Sequence, residues 1–169
     1  MNTTTTPPTV SVIMPVYNAA ETLTRAVDSV REQTFQSWEL IAVDDGSTDA
    51  SGNVLDQLAK EASGIRVLHT PHQGVVAAAN SAMKAAQGQY IARMDADDIS
   101  HPRRLERQHR FLERNPQVDL VGTRVRFGGN RREAAGFAAY VDWTNDLLSS
   151  EQISLNRFIE LPVVNPSIM

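Results

Sequence analysis

The sequence predicts an α/β domain in which helices cover both faces of a mostly parallel sheet. Four short apolar runs rich in Val, Ile and Leu alternate with four stretches of helical periodicity in the first 115 residues, the pattern of strands joined by helical crossovers. The strand ends lead into Asn, Asp, Gly, Ser and Thr rather than into two-residue hairpin turns, so the chain leaves the sheet at each of them. At 169 residues there is material for one domain with a sizeable core.

Val10-Ser11-Val12-Ile13-Met14 reads as a first buried strand, stopped by Pro15. Leu23, Ala26, Val27 and Val30 recur at helical spacing, which places a helix over Glu21 to Gln33. Trp38 to Val43 is the second strand, and it enters Asp44-Asp45-Gly46-Ser47-Thr48-Asp49, where Thr48 or Asp49 is expected to cap a helix through Leu58. Ile65 to His69 is the third strand; Val75, Ala79 and Met83 mark the next helix, with Gly88 as its expected C-cap. Tyr90 to Met94 is a fourth strand that runs into Asp95, Asp97 and Asp98. Ser100 or His101 then caps a helix with Pro102 in its first turn, lasting to about Arg114 before Asn115-Pro116. Beyond it, Val118 to Phe127 alternates as a longer strand, Gly128-Gly129 turns, and Gly136 to Val141 is read as its partner; helical patches surround Leu147-Leu148 and Ile153 to Ile159. The Thr/Pro-rich residues 1–9 are expected to be a disordered leader.

Composition narrows the function classes. There are no cysteines, so any metal must sit on oxygen or imidazole, and a cytoplasmic setting is expected. No apolar run is long enough to span a bilayer. The net charge of -4 is segregated: residues 1–100 carry 6 Lys/Arg and 12 Asp/Glu, residues 101–132 carry 9 and 3, and residues 133–169 carry 1 and 5. A basic segment directly after an acidic cluster suits a phosphorylated ligand or an anionic membrane surface. Nucleic acid is not expected as a partner, because the chain is acidic overall and shows no nucleic-acid motif.

In a parallel sheet, ligands bind beyond the C-terminal ends of the strands. Asn18, Asp44-Asp45 and Asp95 to Asp98 all fall on that edge and are expected to meet in one cleft. Asp95 and Asp97, two apart, would share a side of an extended segment and could hold a hard divalent cation that bridges phosphate oxygens. Taken alone, such a pair is more often a turn and cap; its position on the ligand edge reverses that preference. A carboxylate at Asp45 can accept from a base N–H or bind a ribose hydroxyl, although the turn itself also accounts for it. Tyr17 could lie against a nucleobase, with core packing the plainer reading. Arg103, Arg107, Arg110 and Arg114 form one helical stripe, mostly a solvated face, in which Arg103 and its neighbour Arg104 are nearest the cleft. The histidines at 69, 72, 101 and 109 lack ligand spacing and read as structural or exposed.

Taken together, Val12-Ile13-Met14-Pro15-Val16-Tyr17-Asn18, Gln33-Thr34-Phe35, Glu39 through Asp49, and Gly88-Gln89-Tyr90-Ile91 through Asp98 resemble the N-terminal half of family 2 glycosyltransferases with the GT-A fold. The resemblance implies a nucleotide-diphospho-sugar donor, Mn2+ or Mg2+ on its diphosphate, and inverting transfer to a glycan or lipid-linked acceptor, at the inner face of the membrane where the acceptor is a lipid. By position, Pro15, Val16 and Tyr17 would line the nucleoside pocket, Asp45 would contact the base, Asp95 the ribose or sugar, and Asp97 the metal. Arg103 is the expected contact for the phosphate groups. Ala79-Asn80 departs from the Arg-Asn of many relatives, so one positive contact near the donor phosphates is either missing or supplied by another arginine. In the family, the general base belongs to an acidic motif downstream of a segment like Asn165-Pro166-Ser167-Ile168-Met169. The expectation is therefore a GT-A domain over residues 10–169 that stops before the acceptor and base segment. A binding module without transfer activity is the rival; a sugar nucleotidyltransferase would need a Gly-rich first loop, for which Pro15 to Asn18 is a poor substitute.

Overall fold

A computed structural model describes residues 7–169. Strands and helices alternate as β1 (Val10–Val16), α1 (Ala20–Arg31), β2 (Trp38–Asp45), α2 (Ser51–Glu61), β3 (Ile65–Thr70), α3 (Val75–Ala85), β4 (Tyr90–Arg93) and α4 (Arg104–Arg114). They are followed by α5 (Ala135–Asp146), α6 (Ser150–Asn156) and one 3-10 turn over Asn165–Ser167. All strand pairs are parallel, in the order β3-β2-β1-β4.

Strand alternation divides the core in two. Val10, Val12, Met14 and Val16 face one way with Leu40, Ala42 and Ala92, and pack under Leu23 and Val27 of α1, Leu55 of α2 and Leu105 of α4. The opposite face carries Ile13, Ile41 and Val43 against Ala78 and Ala82 of α3. Each fully buried Leu, Ile or Val contributes about 1.5–3 kcal/mol relative to exposure, so the first face, with three helices over it, holds most of the apolar stabilisation. The alanines of α3 let that helix lie close to the sheet.

Gln33 sets the position of α4. It is buried; its amide donates to the carbonyls of Ser29 and His101, and its Oε1 accepts the N–H of Leu105 at 3.0 Å. A first-turn donor of α4 is thus capped by a side chain from the end of α1. Neither Ser100 nor His101 is the N-cap, and Pro102 precedes the helix, although His101 Nδ1 accepts from the Arg103 N–H.

Three further expectations are corrected. Residues 118–127 form no strand: only Val121 pairs, exchanging two hydrogen bonds with Met169, while Val125 donates its N–H to Asn145 Oδ1 and accepts from Asn145 Nδ2. The proposed partner Gly136–Val141 lies inside α5, because Ala138, Val141 and Thr144 recur at helical spacing on its buried side. Gly88 is not a C-cap; α3 ends at Ala85 with Ala86 as its C-cap, and a Cβ on Gly88 would stand 2.6 Å from the Ser11 nitrogen, so glycine is required by the close approach to β1. Within the expected leader, residues 1–6 lie outside the described residues, and Thr9 is tied by its N–H to the carbonyl of Ser37.

Candidate functional site

With β2 on one side of β1 and β4 on the other, the crossovers diverge between β1 and β4, and the strand ends there leave a crevice. A cleft of about 530 Å³ occupies that point, walled by Pro15 near the end of β1 and Tyr17 just beyond it, and by Arg93 at the end of β4 with Asp95 and Asp97 beyond it.

The β1 wall is fixed by Asn18, whose backbone adopts φ 49, a left-handed conformation that Asn tolerates. Its Oδ1 accepts the N–H of Thr48 at 2.8 Å, and its own N–H donates to Ser47 Oγ at 3.0 Å. Asp49, immediately before the α2 N-cap Ala50, accepts the N–H of Ser51 and, from the other loop, that of Ala20. One carboxylate so serves the starts of α1 and α2, and hydrogen bonding by Ser51 holds it below the usual carboxylate range.

Asp44 and Asp45 are buried, each in a different network. Asp44 Oδ1 accepts from the Ser47 N–H, and Oδ2 lies 3.1 Å from His69 Nδ1, whose Nε2 is 3.0 Å from Asp56 on α2. Burial pushes the Asp44 carboxyl up, but the bonds from Ser47 and His69 outweigh it and the net shift is downward. His69 is raised by its hydrogen bonds to Asp56 and then Asp44. Asp45 accepts the N–H groups of Gln73 at 2.9 Å and Gly74 at 2.8 Å, and its Oδ2 is 2.9 Å from His72 Nδ1. Burial raises Asp45, and these backbone donors with His72 bring it below its ordinary value. Its side chain is 3% exposed. Asp45 therefore fastens the loop before α3, and Gly46, at φ 69, leaves room for that loop where a Cβ would meet the His72 nitrogen at 2.7 Å.

The β4 wall is held from several directions. Arg93 donates its N–H to the carbonyl of Ile168, and its own carbonyl accepts Arg104 Nη2 at 2.7 Å. Arg104 is buried; it also reaches the Ile168 carbonyl and Gln108 Oε1. Burial lowers it to about 10 against the opposing pull of Asp98. Asp95 to Asp98 close a turn through the Asp98 N–H and the Asp95 carbonyl, and Thr22 of α1 donates to the carbonyl of Ala96. The carboxylates of 95 and 97 thus share the cleft through a turn, not through the alternation of an extended strand. Asp98 is pushed up to about 6 by desolvation and then by repulsion from Asp97 and Asp95.

The predicted residues divide. Pro15, Tyr17, Asp95 and Asp97 line one cleft. Val16, 1% exposed, turns its side chain into the core and does not line it. The Asp45 carboxylate is enclosed by residues 72–74. Arg103 pairs with Glu106, outside the cleft wall; the helix phase that buries Arg104, Leu105, Gln108 and Leu112 turns Arg103, Arg107, Arg110 and Arg114 to solvent. Two residues of the site escaped the reading of the sequence. Arg93 was signalled by a charge within an apolar strand, whereas nothing in the local sequence marks His72, which stacks on Tyr17.

Among the described residues no three His, Cys, Asp or Glu side chains converge as a metal cage. Asp95 and Asp97 nonetheless suit a cation such as Mg2+ or Mn2+, which keeps several waters and takes one or two carboxylates together with phosphate oxygens.

The glycosyl transferase family 2 model matches residues 11–166. The chain belongs to glycosyltransferase family 2. EpsE of Bacillus subtilis, named as a glycosyltransferase, is 42% identical over 118 residues, which are 69% of this chain and 42% of that protein. The chain thus spans less than half the length of that relative. Among solved structures, TarS residues 1–349 of S. aureus with UDP-GlcNAc superimposes with a TM-score of 0.61 at 25% identity, over 72% of this chain and 37% of that one. A mannosyltransferase of Pyrobaculum calidifontis, in complex with GDP-Man and Mn2+, shares the fold with a TM-score of 0.66 at 23% identity, over 92% of this chain and 47% of that one. The family 2 chain therefore has the GT-A fold.

Proposed function

We propose that this chain is the donor-binding part of an inverting glycosyltransferase that moves a sugar from a nucleotide-diphospho-sugar to a glycan or lipid-linked acceptor. The observation that carries the reading is the convergence of Tyr17, Asp95 and Asp97 on one cleft at the β1/β4 divergence. Two solved structures with this fold, a TarS fragment and the Pyrobaculum mannosyltransferase, are complexes with nucleotide sugars, which supports a donor of that class.

Tyr17, 47% exposed, offers a ring against which a base can lie. Asp95 is placed to accept from a ribose or sugar hydroxyl, and Asp97 to hold Mn2+ or Mg2+. The cation, when bound, neutralises charge on the departing diphosphate. Asp45 acts through the loop it fastens, and the Val16 and Arg103 side chains are left out of the pocket. Transfer also needs a carboxylate to take the acceptor proton; the family resemblance assigns it downstream of a segment like Asn165–Met169. No helix among the described residues is long and apolar enough to cross a membrane. A cytoplasmic enzyme, meeting lipid-linked acceptors at the inner membrane face, accords with this reading.

Calorimetry with UDP, GDP and dTDP, with and without Mn2+, tests the proposal. Binding of one nucleotide that is strengthened by Mn2+ and loses that strengthening in Asp97→Ala is the expected result. No binding by the folded protein, or binding indifferent to Asp97→Ala, refutes it. Binding without turnover when acceptor is supplied would favour a binding module.

A further inference from the structure

Among the described residues, the walls of the cleft carry four carboxylates, Glu21, Asp49, Asp95 and Asp97, and a single cationic side chain, Arg93. A ligand bearing a diphosphate would meet net repulsion there unless positive charge stood at the same wall. Arg93 is on the α3 face of the sheet, at the register position opposite Ile13, where the neighbouring row continues with Ile41. A charged residue in an apolar row loses hydration, and its retention calls for a partner.

Its side chain is 19% exposed, and its one ionic partner among the described residues is Asp95, with Nη2 at 3.1 Å and Nε at 3.3 Å from the same oxygen, Oδ1. Both guanidinium donors thus converge on one carboxylate oxygen, which leaves the fork of the arginine only partly satisfied. Its main chain does not share that freedom, because the Arg93 N–H and carbonyl are both bonded, to Ile168 and Arg104. The base of the side chain is fixed while its tip makes a replaceable contact at the cleft wall.

Resting on the donor reading above, we propose that Arg93 is the protein's own cation for the donor diphosphate, exchanging its bonds to Asp95 Oδ1 for phosphate oxygens when the donor enters. The exchange matches the chemistry of the two anions, since a diphosphate offers the planar fork two separate oxygens where Asp95 now offers one. It also frees Asp95 to accept from a donor hydroxyl. A second cavity, of about 990 Å³, is bordered by Arg93 and by Ala79 and Asn80 of α3. An arginine introduced at 79 would therefore start from the same neighbourhood as the guanidinium of Arg93.

The test uses calorimetry of the whole chain in EDTA, with the nucleoside, the monophosphate and the diphosphate of the base that wild type binds in the screen of UDP, GDP and dTDP. Arg93→Gln and Arg93→Ala are expected to weaken diphosphate binding by roughly tenfold to a hundredfold, the scale of a charged hydrogen bond, and to leave the nucleoside unchanged. Arg93→Lys retains part of the affinity, and Ala79→Arg in the Arg93→Ala background restores part of it. Diphosphate affinity within about twofold of wild type in both Arg93→Gln and Arg93→Ala would overturn the inference while the donor reading stands. Equal losses for nucleoside and diphosphate in Arg93→Gln would also overturn it, by making Arg93 a support of the cleft. A folded wild type that binds none of the nucleotides removes the donor reading and this inference together.

Discussion

The imidazole of His72 lies against the ring of Tyr17, with centroids 4.1 Å apart and planes inclined by 24°. The same imidazole is held by Asp45 through Nδ1, so the orientation of an aromatic surface in the cleft is set by a buried carboxylate. One face of Tyr17 is covered in this way, and a nucleobase must use the other or displace His72. Asp45 is thereby coupled to the Tyr17 side of the cleft through His72.

Asp45→Ala leaves the N–H groups of Gln73 and Gly74 without their acceptor, and a cost of about 1–3 kcal/mol in folding stability follows. Urea denaturation measures it, and amide exchange at Gln73 and Gly74 should accelerate. Unchanged stability with reduced nucleotide affinity would instead make Asp45 a direct ligand contact.

The Asp44–His69–Asp56 contact gives stability a pH dependence of known sign. Because His69 is raised in the folded state, its contribution is complete below about pH 6.5, the unfolded value, and is lost as pH rises through the folded value. Asp44 and Asp45 are lowered, so theirs is present above about pH 4 and lost as pH falls through the folded values. Denaturation midpoints are expected to peak between these limits, and His69→Gln should flatten the alkaline limb and, because His69 also helps hold Asp44 down, soften the acid limb to a lesser degree. An alkaline slope that survives in His69→Gln would assign it to other groups.

Arg104→Met removes the donors to the carbonyls of Arg93 and Ile168 and to Gln108. A loss of roughly 1.5–3 kcal/mol is expected for each charged hydrogen bond not replaced, together with faster exchange at the Arg93 and Met169 amides. Arg103→Met, on the exposed side of the same helix, should stay within about 0.5 kcal/mol of wild type. Equal effects of the two substitutions would contradict the helix phase described above.

Gly88→Ala forces a Cβ to 2.6 Å from the Ser11 nitrogen and 2.8 Å from the Val10 carbonyl carbon. Backbone crowding of this kind costs about 1–3 kcal/mol, measurable as a lowered denaturation midpoint. Since Gly88 is at the opposite end of β4 from the cleft, nucleotide affinity of the folded protein should not change.

The parallel core was legible because Val10 to Met14, Trp38 to Val43 and Leu23 to Val30 each keep the period of their element, and burial follows that period directly. Placing Tyr17, Asp95 and Asp97 on one edge required only the rule for parallel strand ends. The segment Val118 to Phe127 was misread because alternation marks an extended chain but does not name its partner; here the side-chain amide of Asn145 supplies both bonds to Val125. Gly128-Gly129 reinforced the hairpin reading, and the helical spacing of Ala138, Val141 and Thr144 outweighed it. Arg103 and Arg104 differ by one position and so by about 100° around the helix; the phase depended on Gln33, which is distant in sequence. His72 could not be found locally, since its role exists only where the ends of β1 and β2 meet.

The seating of Ile168 and Met169 beside β4 and Val121 has a consequence for the order of assembly on the ribosome. Every residue of the cleft is made before Asp98, yet the carbonyl that receives the Arg93 N–H belongs to residue 168. The first three strands can gather as they emerge, because their pairings and α1 to α3 are near in sequence. β4 acquires its outer neighbour some seventy residues later. During synthesis the acidic turn therefore hangs from an open sheet edge, and the cleft acquires its final shape only once residues 168 and 169 have been made.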